Sequence, residues 1–504
     1  MNRIPSILIT RCKRAGAALA FRRGRLAGGI VAALLAGGLL IRPAWLVGAE
    51  SASGPETVAG QPADPAGRQL YLTNCARCHG ETGAGDGLDA QRMAPKPRNL
   101  AEGVFKFRTT ASGTPPTDAD LFRTLSTGLP GSRMPDFQRL PEEARRQLVA
   151  YLKGLSPLFT EQKPEPVDLG TDPGPEKADL AVGKKVYEQL GCATCHGAAG
   201  RGNGSSAATL VDDWGSPIRA ADLTQGWNYR GGSAPTEIVA RILTGIDGTP
   251  MPSYADAISS KEEAWALAYY VRSLQEEPRW SRRVEAVQLE GPLPSGPDDP
   301  AWQKAPRADL RLGGAFYRQG KIEPTDVSVI SVQAMYNEKE ILFRLRWNDP
   351  TESRQPPPEG RPAPPDAVMI AFLPERRLKF LTGSLRSWPA RPQSDGGQSR
   401  PEVEETALDL CRWSAESGAA REAVLKHLEP LESGGAGVPL ESQAAYEEGR
   451  WTLVLRRPRQ GAAESGVGLK RQSPVLMALA VWDGGNQEQG RRRANSHWVE
   501  LVLK

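Results

Sequence analysis

Two short motifs constrain this chain of 504 residues more than any other feature. Residues 75–79 read Cys-Ala-Arg-Cys-His, and residues 192–196 read Cys-Ala-Thr-Cys-His. Two thiols in one turn can add to the two vinyl groups of a porphyrin, and the histidine that follows is placed to bind its iron. We therefore expect two covalently bound haem c groups. The predicted attachment residues are Cys75, Cys78, Cys192 and Cys195, and the predicted proximal iron ligands are His79 and His196.

Zinc and redox-disulfide sites are the alternatives for such motifs. A zinc site usually places its second cysteine pair about 15–20 residues away, whereas these pairs are 117 residues apart. Two local redox disulfides or other metal sites remain the other interpretation of the motifs.

A methionine follows each motif at the same distance. His79 precedes Met134 by 55 residues and His196 precedes Met251 by 55 residues, and each methionine stands before a proline. A methionine more often fills a gap in a core, but an identical offset in two copies favours ligation of the iron. We therefore predict Met134 and Met251 as the distal ligands, in a unit that has been duplicated.

Residues 60–160 and 178–278 each resemble a class I cytochrome c domain of the kind found in dihaem electron carriers. The resemblance rests on the haem motif, the methionine loop and helical patterns on either side. It implies an all-α fold, with an opening helix over residues 67–74 and 183–191. The closing helix is predicted over residues 142–155 and 262–274.

The N-terminal segment, residues 1–49, reads as an export signal. Seven basic residues between Arg3 and Arg25 precede a sixteen-residue apolar run that ends before Arg42. That run is short for a membrane span, which needs about 20 residues. Small residues up to Ala49 suit signal peptidase, so we favour cleavage there over an uncleaved N-terminal membrane anchor. Either way the chain is predicted to be periplasmic or otherwise extracytoplasmic.

The pattern changes beyond two Pro-rich segments, residues 161–177 and 279–300, which we expect to be extended linkers. Residues 301–504 hold seven of the twelve tryptophans and are predicted to form an all-β sandwich. Strands are predicted over residues 327–336, 341–347, 367–373, 451–456, 475–482 and 498–503.

Residues 301–504 resemble the haem-b-binding subunit of ethylbenzene dehydrogenase and its relatives, on the segments 343–351, 366–372 and 480–498. Those relatives are electron-transfer subunits of periplasmic molybdenum enzymes, so the resemblance implies a possible third, non-covalent haem b. The family holds that group with a methionine and a lysine, but this chain has Thr382 and the run 491–493 of three arginines at the corresponding places. The remaining candidates, each more often a packing residue, are Met335, Met369, Met477, His427 and His497. Cys411 is expected to be a buried free thiol.

These observations predict a dihaem c-type cytochrome that transfers single electrons and is not itself an enzyme. Histidine and methionine on both irons leave no open position for a substrate. Its expected partners are redox proteins, in particular a molybdoenzyme with an iron-sulfur subunit. A formal net charge of +4 gives no reason to expect a nucleic-acid partner. The alternatives are a dihaem enzyme, such as a peroxidase or small-molecule dehydrogenase, and a C-terminal domain that is only a docking module.

Overall fold

The computed structural model describes residues 65–504 except Ala94 and residues 315–324, 355–362, 375–407, 426–436, 464–465, 474 and 491. The predicted export signal, Thr382, His427 and Arg491 therefore lie outside the described residues. Helices occupy the first half of the described chain and strands the second, which confirms the predicted order of all-α and all-β domains. Among the described residues, no helix combines the length and apolar character needed to cross a membrane.

The first helical domain is built around two packed helices at its ends. Helix α1 contributes Tyr71 and helix α4 contributes Leu148 and Tyr151 to a buried core. Helix α3 begins at a capping box in which Thr117 and Asp120 satisfy each other's backbone N–H groups. The helices of this domain are α1 (Pro65–Asn74), α2 (Ala76–His79), α3 (Asp118–Thr127), α4 (Glu142–Lys153) and α5 (Leu158–Glu161).

The second helical domain repeats this arrangement. Its first and last helices cross so closely that a Cβ added at Gly183 would lie 2.1 Å from the carbonyl oxygen of Ala266. Only glycine fits there. The helices are α6 (Leu180–Gln189), α7 (Ala193–His196), α8 (Pro235–Thr244) and α9 (Lys261–Ser273), so the predicted opening and closing helices are present in both copies.

The C-terminal domain is a large, mostly antiparallel sheet. The predicted hairpin forms from β4 and β5, with the side chain of Asn337 accepting backbone N–H groups in its turn. The strands are β1 (Arg283–Gln288), β2 (Ala308–Arg311), β3 (Gly313–Gly314), β4 (Val329–Tyr336), β5 (Glu340–Asn348), β6 (Ala367–Pro374), β7 (Leu408–Ser414), β8 (Ala420–Leu425), β9 (Val438–Leu440), β10 (Ser442–Glu447), β11 (Arg450–Pro458), β12 (Val475–Trp482), β13 (Ala494–Asn495) and β14 (Val499–Leu503).

The sheet folds back on itself and buries one face. Its order is β10-β11-β5-β4-β1-β14-β12-β6-β7-β8-β9, so four strands separate β5 from β6. Nevertheless the rings of Phe343 on β5 and Phe372 on β6 lie 5.8 Å apart, and those of Trp347 on β5 and Trp413 on β7 lie 6.3 Å apart. The two halves of the sheet therefore pack face to face around an aromatic core, as in a sandwich.

The sheet begins earlier than the predicted domain boundary. Strand β1 lies within residues 279–300, the segment predicted to be a linker, and pairs in parallel with both β14 and β4. Val284 and Ala286, which alternate along β1, are fully buried. The strand is only six residues long and lies between prolines, so its sequence pattern is too short to predict a strand. The other segment, residues 161–177, is extended but packs on helix α9: Trp265 donates a 2.7 Å hydrogen bond to the carbonyl of Leu169.

Candidate functional site

The two Cys-x-x-Cys-His turns share the same pattern of backbone hydrogen bonds. The N–H of His79 donates to the carbonyl of Cys75 at 2.9 Å, and the N–H of His196 donates to that of Cys192 at 2.9 Å. Each turn therefore places both sulfurs and the imidazole on one short helical segment. The four cysteines, Cys75, Cys78, Cys192 and Cys195, are free thiols in the structure.

The local environment of the cysteines favours neutral sulfur. Burial raises the pKa of the Cys75 thiol to about 12 and that of Cys192 to about 11, with the second cysteine of each motif adding to the effect. Burial also raises the pKa of Cys78.

Both histidines are held through the same ring nitrogen. Nδ1 of His79 lies 3.0 Å from the carbonyl oxygen of Arg98, and Nδ1 of His196 lies 2.9 Å from that of Ala221. A carbonyl can only accept, so Nδ1 carries the proton and the lone pair of Nε2 is left for a metal. Burial lowers the pKa of both imidazoles, which favours the neutral form that a metal requires.

A tyrosine that we did not predict supports each turn from the opening helix. The hydroxyl of Tyr71 donates to the carbonyl of Gly80 at 2.8 Å, and that of Tyr187 donates to the carbonyl of Gly197 at 2.7 Å. Alignment of the two repeats could have revealed these tyrosines, but their offsets differ: Tyr71 precedes its motif by four residues and Tyr187 precedes its motif by five. Gly191, with a φ of +72°, takes up the extra residue.

The methionine loops are also built alike. Each is closed by a backbone N–H that donates to the methionine carbonyl at 3.0 Å, from Leu129 to Met134 and from Ile246 to Met251. Inside each loop a hydroxyl accepts the methionine N–H, from Ser132 in one copy and Thr249 in the other. Met134 packs on the core cluster that contains Cys75, and Met251 is half-buried in the equivalent loop.

Each methionine loop touches the opposite helical domain. Asp247, in the loop of Met251, accepts hydrogen bonds from the side chains of Arg108 and Ser112, each at 2.7 Å. In the other copy, the carbonyl of Gly131, in the loop of Met134, accepts a 3.4 Å hydrogen bond from the side chain of Arg230. The predicted distal sides of the two sites therefore both lie at the contact between the two domains.

The histidine-bearing side of the second domain contacts the sheet. Asp222 follows the carbonyl that holds His196, and its carboxylate accepts a 2.7 Å hydrogen bond from Asn348 at the end of β5. Asn348 also donates to Thr224 at 2.9 Å, and Ser328 donates to Gln225 at 2.6 Å. The second helical domain thus contacts both the first helical domain and the β domain.

The candidates for a haem b ligand are not brought together by the described part of the β domain. Met335, Met369 and Met477 are fully buried, but each belongs to a different apolar cluster. His497 is exposed, and His427 lies outside the described residues. Cys411 is a fully buried free thiol, as expected, and burial raises its pKa well above the usual value.

Comparisons with known proteins agree with this division. The family model for cytochrome c matches residues 65–156 and 180–275, and the model described as ethylbenzene dehydrogenase matches residues 299–361. The chain is 25% identical over 225 residues to the "Putative respiratory nitrate reductase heme subunit ORF7" of Haloferax mediterranei, covering 43% of this chain and 71% of that protein. It is 27% identical over 222 residues to the Cbb3-type cytochrome c oxidase subunit CcoP of Azospirillum sp. strain B510, covering 41% of this chain and 61% of that protein, less than two thirds.

Among solved structures, a chain of the Kuenenia stuttgartiensis reducing HAO-like protein complex Kustc0457/Kustc0458 is 46% identical. That match covers 43% of this chain and 98% of the other, with a TM-score of 0.41.

Proposed function

We propose that this chain, which contains two cytochrome c domains followed by an ethylbenzene dehydrogenase-type domain, is a dihaem electron-transfer subunit of a larger oxidoreductase. Cytochrome c domains imply covalent haem c, and this group supplies reversible one-electron transfer when it is bound. Cys75 and Cys78 would hold the first group, with His79 and Met134 on its iron. The second would be held by Cys192, Cys195, His196 and Met251.

One observation carries the proposal: both copies combine an imidazole fixed through Nδ1 with a methionine loop of the same hydrogen-bonded design. Both irons would therefore receive two protein ligands and keep no position for a substrate. The hydrogen bonds to Nδ1 also hold the orientation of each imidazole. These features suit a carrier of single electrons.

The partner is inferred from the relatives and from the domain composition. The Haloferax mediterranei relative is named "Putative respiratory nitrate reductase heme subunit ORF7" and the Azospirillum relative is named as an oxidase subunit, so both names refer to subunits of oxidoreductases. We propose a periplasmic molybdoenzyme with an iron-sulfur subunit as the partner of this chain. The basic and apolar residues 1–49 support export, with or without a retained N-terminal anchor.

A third haem, of the non-covalent b type, is proposed for the β domain because the ethylbenzene dehydrogenase model matches its first part. Acidic organic solvent extracts haem b from the intact purified protein but leaves haem c attached to the chain. One extracted haem per chain supports a three-haem carrier. Extraction of none, from protein purified after growth with added haem, leaves a dihaem carrier whose β domain serves only in docking.

The competing function is an enzyme, such as a dihaem peroxidase, in which one iron has an open position. The electron carrier and the enzyme can be distinguished by mixing the reduced and oxidised forms of the full-length protein with cyanide or peroxide in a stopped-flow instrument. We expect reversible one-electron oxidation at both sites, with neither site binding cyanide rapidly. Rapid cyanide binding together with turnover of peroxide would show that the protein is an enzyme and not an electron carrier.

A further inference from the structure

Three aspartates from distant parts of the sequence meet at one end of the β domain. Asp349 follows β5, Asp366 precedes β6 and Asp483 follows β12. Strands β6 and β12 are antiparallel, with Ala367 opposite Trp482, so Asp366 and Asp483 lie side by side. Strand β5 faces β6 across the core, which brings Asp349 to the same place.

The three carboxylates are close together and closed to solvent. One oxygen of each lies within 4.8 Å of the corresponding oxygens of the other two, and all three side chains are 0% exposed. Calcium binds oxygens at about 2.3–2.6 Å, so two oxygens on opposite sides of one ion are separated by at most about 5 Å. The cluster therefore has dimensions that one calcium ion can bridge.

The hydrogen bonds of the cluster leave oxygen atoms without a donor. Asp366 is satisfied by the N–H groups of Ser353 and Gly484 and by the indole of Trp451. Asp349 uses Oδ1 to accept the N–H of Thr351, but its fully buried Oδ2 has no hydrogen-bond partner. Oδ2 of Asp483 is likewise buried without a hydrogen bond. A buried carboxylate oxygen without a donor is unfavourable unless a cation is bound.

The cation that pairs with the cluster, Arg219, is shared with a fourth carboxylate. Arg219 pairs with Asp326 at 2.6 Å and reaches Asp483 only at 4.0 Å. Glu488, also buried, already accepts from the backbone of Asp483 and from Asn486.

A second acidic cluster in the same domain contains an arginine, although Oδ1 of Asp409 is buried without a hydrogen-bond partner there as well. Asp409 and Glu422 surround the fully buried guanidinium of Arg457, which donates to them at 2.5 Å and 3.1 Å. At the cluster of Asp349, Asp366 and Asp483, the ion pair seen among the described residues is the 4.0 Å contact of Arg219 with Asp483. The two clusters therefore differ in how closely a guanidinium approaches the carboxylates.

We propose that Asp349, Asp366 and Asp483 bind one divalent cation of the calcium class. An all-oxygen set of carboxylates suits a hard cation. Calcium is favoured over magnesium because magnesium retains several of its waters and this site is closed to solvent. The ion would tie together the ends of β5, β6 and β12, directly beside Asn348, whose side chain bonds the second cytochrome c domain.

The test uses the full-length, haem-loaded protein after removal of metal with a chelator. Calcium chloride titrated into it in a calorimeter should bind at one ion per chain. At a concentration about 100-fold above the dissociation constant, it should raise the midpoint of thermal unfolding of the β domain by about 5 °C. Magnesium chloride at the same concentration should raise it much less.

Two variants make the result specific. Asp349→Asn keeps the shape of the side chain and should abolish both the binding and the shift. Asp409→Asn in the second cluster should lower the starting midpoint, because it weakens the pairing with Arg457, but should keep the full calcium shift. Absence of binding and of any shift in the unmodified protein overturns the proposal, even if a variant fails to fold. A full calcium shift in Asp349→Asn also overturns the proposal. Neither result changes the haem content, so the proposed electron-transfer function is tested separately.

Discussion

Asp247, in the loop that carries Met251, accepts a 2.7 Å hydrogen bond from the fully buried guanidinium of Arg108 in the other cytochrome c domain. Arg108 also donates to the carbonyl of Thr244 at 3.1 Å, where helix α8 ends. The two domains are therefore joined at the loop that is predicted to supply a distal ligand. Their relative position and the position of Met251 depend on the same contacts.

Replacing the acid of this pair should destabilise the two-domain unit. Asp247→Asn keeps the shape of the side chain but leaves the buried Arg108 without its counter-ion, which costs about 3 kcal/mol. The control Asp89→Asn removes an ion pair with Arg77 at an exposed site, which is worth less than about 1 kcal/mol. Denaturant unfolding, monitored by haem absorption, measures the stability of both variants. Equal stability of the two variants would contradict the role given to Arg108 and Asp247.

Lys106, at the same contact, should make stability depend on pH. Burial, with the nearby Arg98 and Arg230, lowers its pKa to about 8, whereas in the unfolded chain it returns to about 10.4. Between these values the unfolded chain binds more protons, so stability rises with pH. The penalty of charging Lys106 is present in full below about pH 8. Lys106→Met should therefore raise the unfolding midpoint at pH 7, and its advantage should shrink as the pH rises towards 10.

Calorimetry at a series of pH values checks this, with Lys96→Met as the control because Lys96 is exposed. A constant advantage of Lys106→Met from pH 7 to pH 10 would show that the gain comes from packing and not from the charge.

The methionine loops lead to a spectroscopic prediction. Each oxidised site should show a near-infrared band from methionine-to-iron charge transfer, because Met134 and Met251 lie in loops of one design. Met134→His should remove one band and lower the potential of that site, and Met251→His should do so for the other. Loss of neither band, with unchanged potentials, would mean that other residues bind the iron.

The contact between the second cytochrome c domain and the sheet should influence one site only. Asn348→Ala removes two hydrogen bonds to the segment 222–224, which directly follows the carbonyl that orients His196. We expect the reduction potential and electron paramagnetic resonance signal of the second site to change while those of the first stay constant. Asn337→Ala, in the turn between β4 and β5, is the matched control. Equal effects of both variants, or changes at both sites, would contradict this coupling.

The parts of the structure that local sequence determines were predictable. The haem motifs, the methionine spacing and the closing helices each depend on residues within one short segment, and the β4–β5 hairpin depends on alternation around a polar turn. The duplication strengthened the predictions for the two helical domains, because each of their features occurs twice at nearly the same offset.

The features that depend on long-range packing could not be predicted. Strand β1 is only six residues long between prolines, and its place in the sheet is set by β14, over two hundred residues later. The pairing of Arg108 with Asp247 spans 139 residues and leaves no local pattern. The aspartates at the ends of β5, β6 and β12 are ordinary loop residues until the fold brings them together.

Covalent haem content tests the central claim most directly. The protein produced from its full-length sequence, analysed by mass spectrometry under denaturing conditions, should carry a mass increment of two haems, and Cys75→Ala combined with Cys78→Ala should retain one. Cys192→Ala combined with Cys195→Ala should do the same, and all four substitutions together should leave none. A native chain without any haem increment, with its four motif cysteines in disulfides, would contradict the account.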